Sequence, residues 1–431
     1  MTTQFAFVLP EFGKIPLRAH SKRTTFARFV AFPGAFLFLL LFSSTVFAQA
    51  PAIPGVTTLR LKSDVLGEER TILVRTPAGY EAGNQRYPVL YMTDGDGHIG
   101  HTGATIEFLS RNGRMSELIV VGITNTDRTR DLSPTHVKTT NPDGKLQFPT
   151  SGGGDKFLKF IETELIPEIE KRYRVQPYRI LAGHSLGGLF VVHAMVSRPE
   201  LFNSYIAVSP ALQWDNQATV KRAEDFFKTR KELDRTLYVS LGHEPGPIED
   251  SFHQFKQVLT KNQTKGFEWE AQEMTDEDHG SVVLRSHYFG LRKVYNGWQL
   301  PRDPDTGQVT AADLKGVEEH YKKLSTKFGF AIPVPEALMN QVGYQLLFAE
   351  KPDEAIAAFK INVERYPTSA NVYDSLAEAY ERGGRLDLAA PLYEKASTVG
   401  QQIKDPNLAV YQANFERVST KLKLAGAEKK P

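Results

Sequence analysis

The segment Gly183-His184-Ser185-Leu186-Gly187-Gly188 carries the sharpest chemical signal in the chain. Its serine has a glycine two residues before it and another two residues after it. The apolar run Arg179-Ile180-Leu181-Ala182 leads in and Leu189-Phe190-Val191-Val192-His193 leads out, which reads as strand, sharp turn and helix. In that context GxSxG is a nucleophile elbow. The glycines are required because the turn is strained and has no room for Cβ atoms beside the nucleophile. The expectation is that Ser185 Oγ is lifted out of a sheet and that the Leu186 N–H points at a substrate carbonyl oxygen.

Serine is a weak nucleophile at its own pKa and needs an oriented base, so a histidine must follow in the chain. The candidates are His193, His243, His253, His279 and His287. His193 lies one or two turns into the helix after the elbow, where packing is its natural role, and His253 and His287 fall inside helical runs. His279 sits in the polar loop Thr275-Asp276-Glu277-Asp278-His279-Gly280, between the strand-like Phe267 to Met274 and a helix from Ser281. It is the expected base. The acid has to come between nucleophile and base, after the strand Leu237 to Leu241. Glu244 in Gly242-His243-Glu244-Pro245-Gly246 is the first choice, with Glu249 and Asp250 as rivals from the same loop. The chain order serine, acid, histidine then holds.

These residues need a sheet to present them. From about Thr57, short β-rich runs alternate with amphipathic helical runs, the pattern of a mostly parallel sheet covered by helices. Thr58 to Lys62 and Thr71 to Arg75 suggest an opening antiparallel pair. Val89 to Met92, Leu118 to Val121, Ile180 to Ala182, Tyr205 to Val208 and Leu237 to Ser240 are apolar enough to be central strands. Asp155 to Tyr173 has Phe157, Phe160, Ile161, Leu165 and Ile169 at helical spacing, with Asp155 expected as the N-cap after Gly152-Gly153-Gly154.

At these residues the chain resembles the putative-esterase group of α/β-hydrolases, which includes esterase D, enterochelin esterases, feruloyl esterase domains and mycolyltransferases. The resemblance spans about 57–298. It rests on Tyr91-Met92-Thr93-Asp94-Gly95, Arg128-Thr129-Arg130-Asp131, the elbow, Ser209-Pro210-Ala211-Leu212-Gln213-Trp214, Gly242-His243-Glu244 and Asp278-His279-Gly280. It implies an α/β-hydrolase sheet and a serine carboxylic-ester hydrolase working through an acyl-enzyme. It further implies a second oxyanion N–H from Gly95 or Asp96, with Trp214 and Arg130 as substrate contacts. The substrate it implies is a small-molecule ester of siderophore or phenolic type, and no cofactor is implied. An acyltransferase of the mycolyltransferase type would use the same triad, and a noncatalytic adaptor would keep the fold for its appendage alone. The intact serine, acid, histidine order argues against the adaptor.

Beyond the hydrolase region, residues 300–312 are polar and turn-rich, and a helix from about Asp313 to Phe328 follows. Gly343, Ala355 and Phe359, then Leu376, Ala377, Tyr380, Ala389, Tyr393 and Ala396, fit the packing positions of a tetratricopeptide-like repeat. Ala355 and Ala389 recur at its roughly 34-residue period. The expected organisation is a hydrolase domain over 57–298, a linker and helix over 299–334, and a small all-α repeat module over 335–425. Such a module could hold a protein partner.

At the other end, basic residues through Arg28 precede the apolar stretch Phe29 to Phe47, and Val46-Phe47-Ala48 suits cleavage after Ala48. Residues 1–48 are therefore expected to be a signal peptide, with a periplasmic or secreted mature chain and no stable membrane span after cleavage. The net charge of +2 includes this basic leader, so the mature chain is close to neutral and lacks the one-signed field that nucleic acid binding needs. With no cysteine among the 431 residues, a thiol nucleophile, a disulfide framework and a Cys-ligated metal are all excluded. Asp96, His98 and His101 in DGDGHIGH hint at a metal, but nothing else in the chain completes a zinc set, so no metal is expected.

Overall fold

A computed structural model describes residues 55–301, 305 and 314–427. The expected signal peptide and most of the polar stretch 300–312 lie outside the described residues. The fold is built on one eight-stranded sheet in the order β1-β2-β4-β3-β5-β6-β7-β8. β1 (Val56–Ser63) and β2 (Glu68–Arg75) form the expected antiparallel pair, and β2 also runs antiparallel to β4 (Ile119–Ile123). From β4 onward the pairs are parallel: β3 (Tyr87–Met92), β5 (Val175–His184), β6 (Ser204–Val208), β7 (Glu232–Leu241) and β8 (Lys265–Glu273). This is the mostly parallel, helix-covered sheet that the alternating pattern implied, and the α/β-hydrolase sheet that the resemblance implied.

Alternate residues along a strand face opposite ways, so the central strands feed two cores. Tyr91, Val121, Leu181, Ala207 and Val239 share one core with the helical segment α3 (Gly154–Phe160), a π-helical turn Ile161–Leu165 and α4 (Ile166–Arg172). α5 (Leu186–Ser197), α6 (Trp214–Thr229) and α7 (Pro247–Lys261) complete that face. Leu90, Val120, Ile180, Ile206 and Tyr238 face the other way, onto α1 (Gly95–Arg111) and α8 (Val282–Val294). The short α2 (Arg128–Leu132) lies in the connection after β4. Asp155 is not the cap of α3, as expected from sequence. Gly153 occupies that place, and Asp155 lies in the first turn with its carboxylate 2.9 Å from Nε2 of the buried His193.

The chain continues with α9 (Leu314–Phe328), α10 (Glu336–Phe348), α11 (Pro352–Arg365), α12 (Ala370–Arg382), α13 (Leu386–Ile403) and α14 (Leu408–Ala427). Gly343 is where α10 meets α11: a Cβ there would lie 2.5 Å from the Phe359 ring. Ala355, Phe359, Ala377, Ala389 and Tyr393 are buried in one cluster. α9 is divided in its loyalties. Val317 joins that helical cluster, whereas Leu324 and Phe328 pack into the core under α1 and α8.

Candidate active site

β5 ends at His184 and α5 begins at Leu186, so Ser185 alone makes the turn between them. Its backbone stands at φ 60 and ψ −117, outside the regions that L-residues ordinarily occupy. Such strain persists only where the surroundings enforce it. Ser185 N donates to Val208 O at 2.9 Å, and Ser185 O accepts from Leu189 N at 2.9 Å and Ala211 N at 3.0 Å. The glycines let these backbones close in: a Cβ on Gly183 would lie 2.4 Å from Gly187 O, and one on Gly188 would lie 2.9 Å from Pro210 Cα. The hydroxyl-bearing residue is thereby placed at the C-terminal edge of the sheet, with the first N–H groups of α5 beside it.

Glu244 and His279 sit on two loops laced together at the same edge. Met274 N donates to Leu241 O at 2.8 Å and His243 N to Glu277 O at 2.6 Å. Gly242 allows the approach, since a Cβ there would be 2.8 Å from Asp278 O. Across this seam His279 Nδ1 is hydrogen-bonded to Glu244 Oε2, and Gly242 N donates to Glu244 Oε1 at 3.3 Å. The Glu244 side chain is 7% exposed and that of His279 41%. Burial pushes the Glu244 carboxyl up, but the hydrogen bonds from His279 and Ser209 outweigh it and hold the group below its ordinary value. An ionised carboxylate only accepts, so Nδ1 of His279 is the donor of this hydrogen bond. Glu249 and Asp250, the rival acids, lie instead in the first turn of α7.

The remaining expected residues are found as follows. Leu186 opens α5, and Gly95 opens α1 immediately after Asp94, whose backbone is left-handed at φ 54. Gly95 is pressed on β4 so closely that a Cβ would lie 2.4 Å from Gly122 C. Trp214 donates from Nε1 to Thr135 O at 3.1 Å and its ring is 5.0 Å from that of Phe148. Arg130 has its fork filled by Glu68, at 2.6 and 3.0 Å, and by Asp131 at 2.7 Å. It ties the loop to β2 rather than reaching the elbow.

The arginine that does reach the elbow is Arg128, whose Nη2 donates to His184 O at 3.1 Å. It also grips Asp94 at 2.6 and 3.1 Å, where Asn125 adds a hydrogen bond at 2.7 Å. Burial raises the Asp94 carboxyl, yet these partners hold it below its ordinary value. Sequence reasoning did not single out Arg128, Asn125, Ser209, Phe148 or His184, whose contacts lie around the elbow and the Trp214 ring. The signal for Arg128 lay two residues from Arg130 in the same segment, and His184 stood inside the elbow. His98, His101 and His287 form a packed array of rings, 5.2 to 6.0 Å apart. Among the described residues no group of three or more His, Cys, Asp or Glu is arranged to hold a metal ion.

The sequence profile of the family described as Putative esterase matches residues 63–289. The chain is 29% identical over 264 residues to the ferri-bacillibactin esterase BesA of Bacillus subtilis, covering 55% of this chain and 88% of that one. It is 30% identical over 203 residues to the siderophore enterobactin esterase of Emericella nidulans, covering 38% of this chain and 67% of the relative. Among solved structures, an IroE-like serine hydrolase from Shewanella oneidensis superposes with a TM-score of 0.61 at 27% identity, covering 72% of this chain and 99% of that one.

Proposed function

Because the chain belongs to the putative esterase family and is a carboxylic ester hydrolase, we propose that it works through a Ser185-His279-Glu244 triad and an acyl-enzyme, on a siderophore-type ester. The observation that carries this reading is the hydrogen bond between His279 Nδ1 and the buried Glu244 carboxylate, on loops beside the strained turn of Ser185. His279 Nε2 takes the Ser185 proton as Oγ attacks the ester carbonyl carbon. Glu244 stabilises the imidazolium that forms. The N–H of Leu186 and that of Gly95 or Asp96 receive the oxyanion of the tetrahedral intermediate. Collapse expels the alcohol, which leaves with the proton held by His279. Water, deprotonated by the same imidazole, then attacks the acyl-enzyme and returns Ser185.

The substrate class is supported by the names of the relatives, which are siderophore esterases. Trp214 and Phe148 offer an aromatic face on which a phenolic ring could stack. Arg130 belongs in this reading to the frame of the pocket loop, and Arg128 to the elbow. Residues 1–48 are proposed to direct export to the periplasm or beyond. The helical hairpins α10/α11 and α12/α13 are proposed as tetratricopeptide-like repeats that present a surface to a protein partner.

A fluorophosphonate probe tests the mechanism. It should label Ser185 and no other residue, and Ser185→Ala should abolish labelling and lower turnover of a p-nitrophenyl or phenolic ester by about three or more orders of magnitude. An adduct mapped elsewhere, or retained turnover in the variant, overturns the assignment.

A further inference from the structure

Nucleophile and base stand on different parts of the fold, Ser185 at the turn between β5 and α5 and His279 on the loop between β8 and α8. A side chain bridges the two segments. His184 Nε2 lies 2.7 Å from the carbonyl oxygen of His279, and the two imidazole rings are 4.6 Å apart at a tilt of 45°. A carbonyl oxygen only accepts, so Nε2 of His184 carries the proton. The backbone of His184 is held in turn, by the Arg128 guanidinium on its carbonyl oxygen at 3.1 Å. Behind the ring stands His98 of α1, 5.9 Å away and nearly edge-on. His98 packs against His287 of α8, whose Nδ1 is 2.8 Å from Thr102 Oγ1. The bridging ring thus packs against α1 through His98 while its Nε2 reaches the His279 loop.

We infer that His184 is a positioning residue for the base: its Nε2–H holds the backbone of His279 against the nucleophile elbow, so the imidazole that Glu244 orients is also kept at the height of Ser185. This rests on the reading of Ser185 and His279 as nucleophile and base. Productive alignment tolerates little error, and a displacement of about 1 Å can cost on the order of 100-fold in rate. Glu244 fixes the ring of His279 and His184 fixes the main chain that carries it. The bridging ring does this while neutral. Burial first, then repulsion from His279, bring His184 down to about 4, against its hydrogen bond to the His279 carbonyl and the attraction of Asp94. His98, the other titratable ring against it, is also lowered by burial. At neutral pH the His184 ring therefore adds no positive charge beside the imidazole that must become protonated in the transition state.

The test compares His184→Gln, which keeps an amide N–H donor, with His184→Leu, which fills similar space without one. Leu is expected to lower kcat for a p-nitrophenyl ester by about 10- to 100-fold while KM stays within about twofold, since alignment acts in the transition state. Gln is expected to recover most of that loss. Fluorophosphonate labelling of Ser185 should slow and recover in parallel. Equal rates in Leu and Gln, or a loss confined to KM, overturn the proposal. Should Leu fail to fold by circular dichroism, His184→Met takes its place. Histidine nitrogen spectra of the wild type give an independent reading, because the proposal requires the Nε2–H tautomer of His184 at neutral pH and the Nδ1–H tautomer overturns it. A wild type that the probe does not label at Ser185 sinks the triad itself. That outcome is distinct from a labelled wild type with an equally fast Leu variant, which sinks only the positioning role.

Discussion

The ring of Phe328 lies 4.8 Å from that of Tyr178 and is stacked on that of Tyr295 at 4.9 Å. Tyr178 belongs to β5, the strand that ends at the elbow, and Phe328 is the last residue of α9. Trp298 closes the cluster edge-on to Phe328 at 5.5 Å. The helix expected to belong with the linker therefore contributes to the core on the α1 and α8 face of the sheet.

Phe328→Ala is expected to destabilise the protein by about 3–5 kcal/mol, because the ring is 1% exposed and its aromatic neighbours Tyr178, Tyr295 and Trp298 cannot all collapse into the space it leaves. Urea unfolding, with ester turnover followed alongside circular dichroism, measures it. A loss below about 1 kcal/mol would mean that α9 merely rests on the sheet unit.

Replacing Glu244 by Gln is expected to lower turnover by about three to four orders of magnitude, with the fold intact. The amide can present a donor where His279 Nδ1–H needs an acceptor, which favours the wrong imidazole tautomer. Glu249→Gln and Asp250→Asn, both changes in the first turn of α7, should leave kcat within about threefold. Steady-state kinetics of the three variants decide the matter, and a larger defect at 249 or 250 would move the acid.

A pH effect is expected in the helical region. Glu381 of α12 accepts from Lys421 at 2.9 Å, from Tyr393 at 3.0 Å and from Arg417, which joins it to α13 and α14. Burial pushes this carboxyl up, but those hydrogen bonds prevail and bring it from 4.5 to about 2. A carboxyl held low in the folded state adds stability that is complete above its ordinary value and is lost as pH falls through the folded one. The Tm difference between wild type and Glu381→Gln should therefore be widest above about pH 5 and close towards about pH 2. Thermal melts across that range check it, and a gap that stays constant or widens in acid would contradict it.

The sequence by itself determined the parts of this protein whose cause is local. Glycine at 183, 187 and 188 around Ser185 could only serve a turn with no space for Cβ atoms; apolar runs located the central strands, though β5 and β7 each begin five residues earlier than those runs, and the period-3.6 pattern placed the helix from Gly154 within a residue or two. The absence of cysteine removed thiol chemistry outright. Tertiary structure alone decided which carboxylate of three meets His279, that Arg128 and not Arg130 reaches the elbow, that His184 grips the loop of His279, and that α9 joins the sheet's core. Each of these is a contact between residues dozens of positions apart, set by the order and register of eight strands and by which way a side chain leaves the backbone. A hydrogen bond is made or lost over less than 1 Å, roughly a third of the advance of one strand residue, so residue type and spacing along the chain name the candidates and the packed sheet chooses among them.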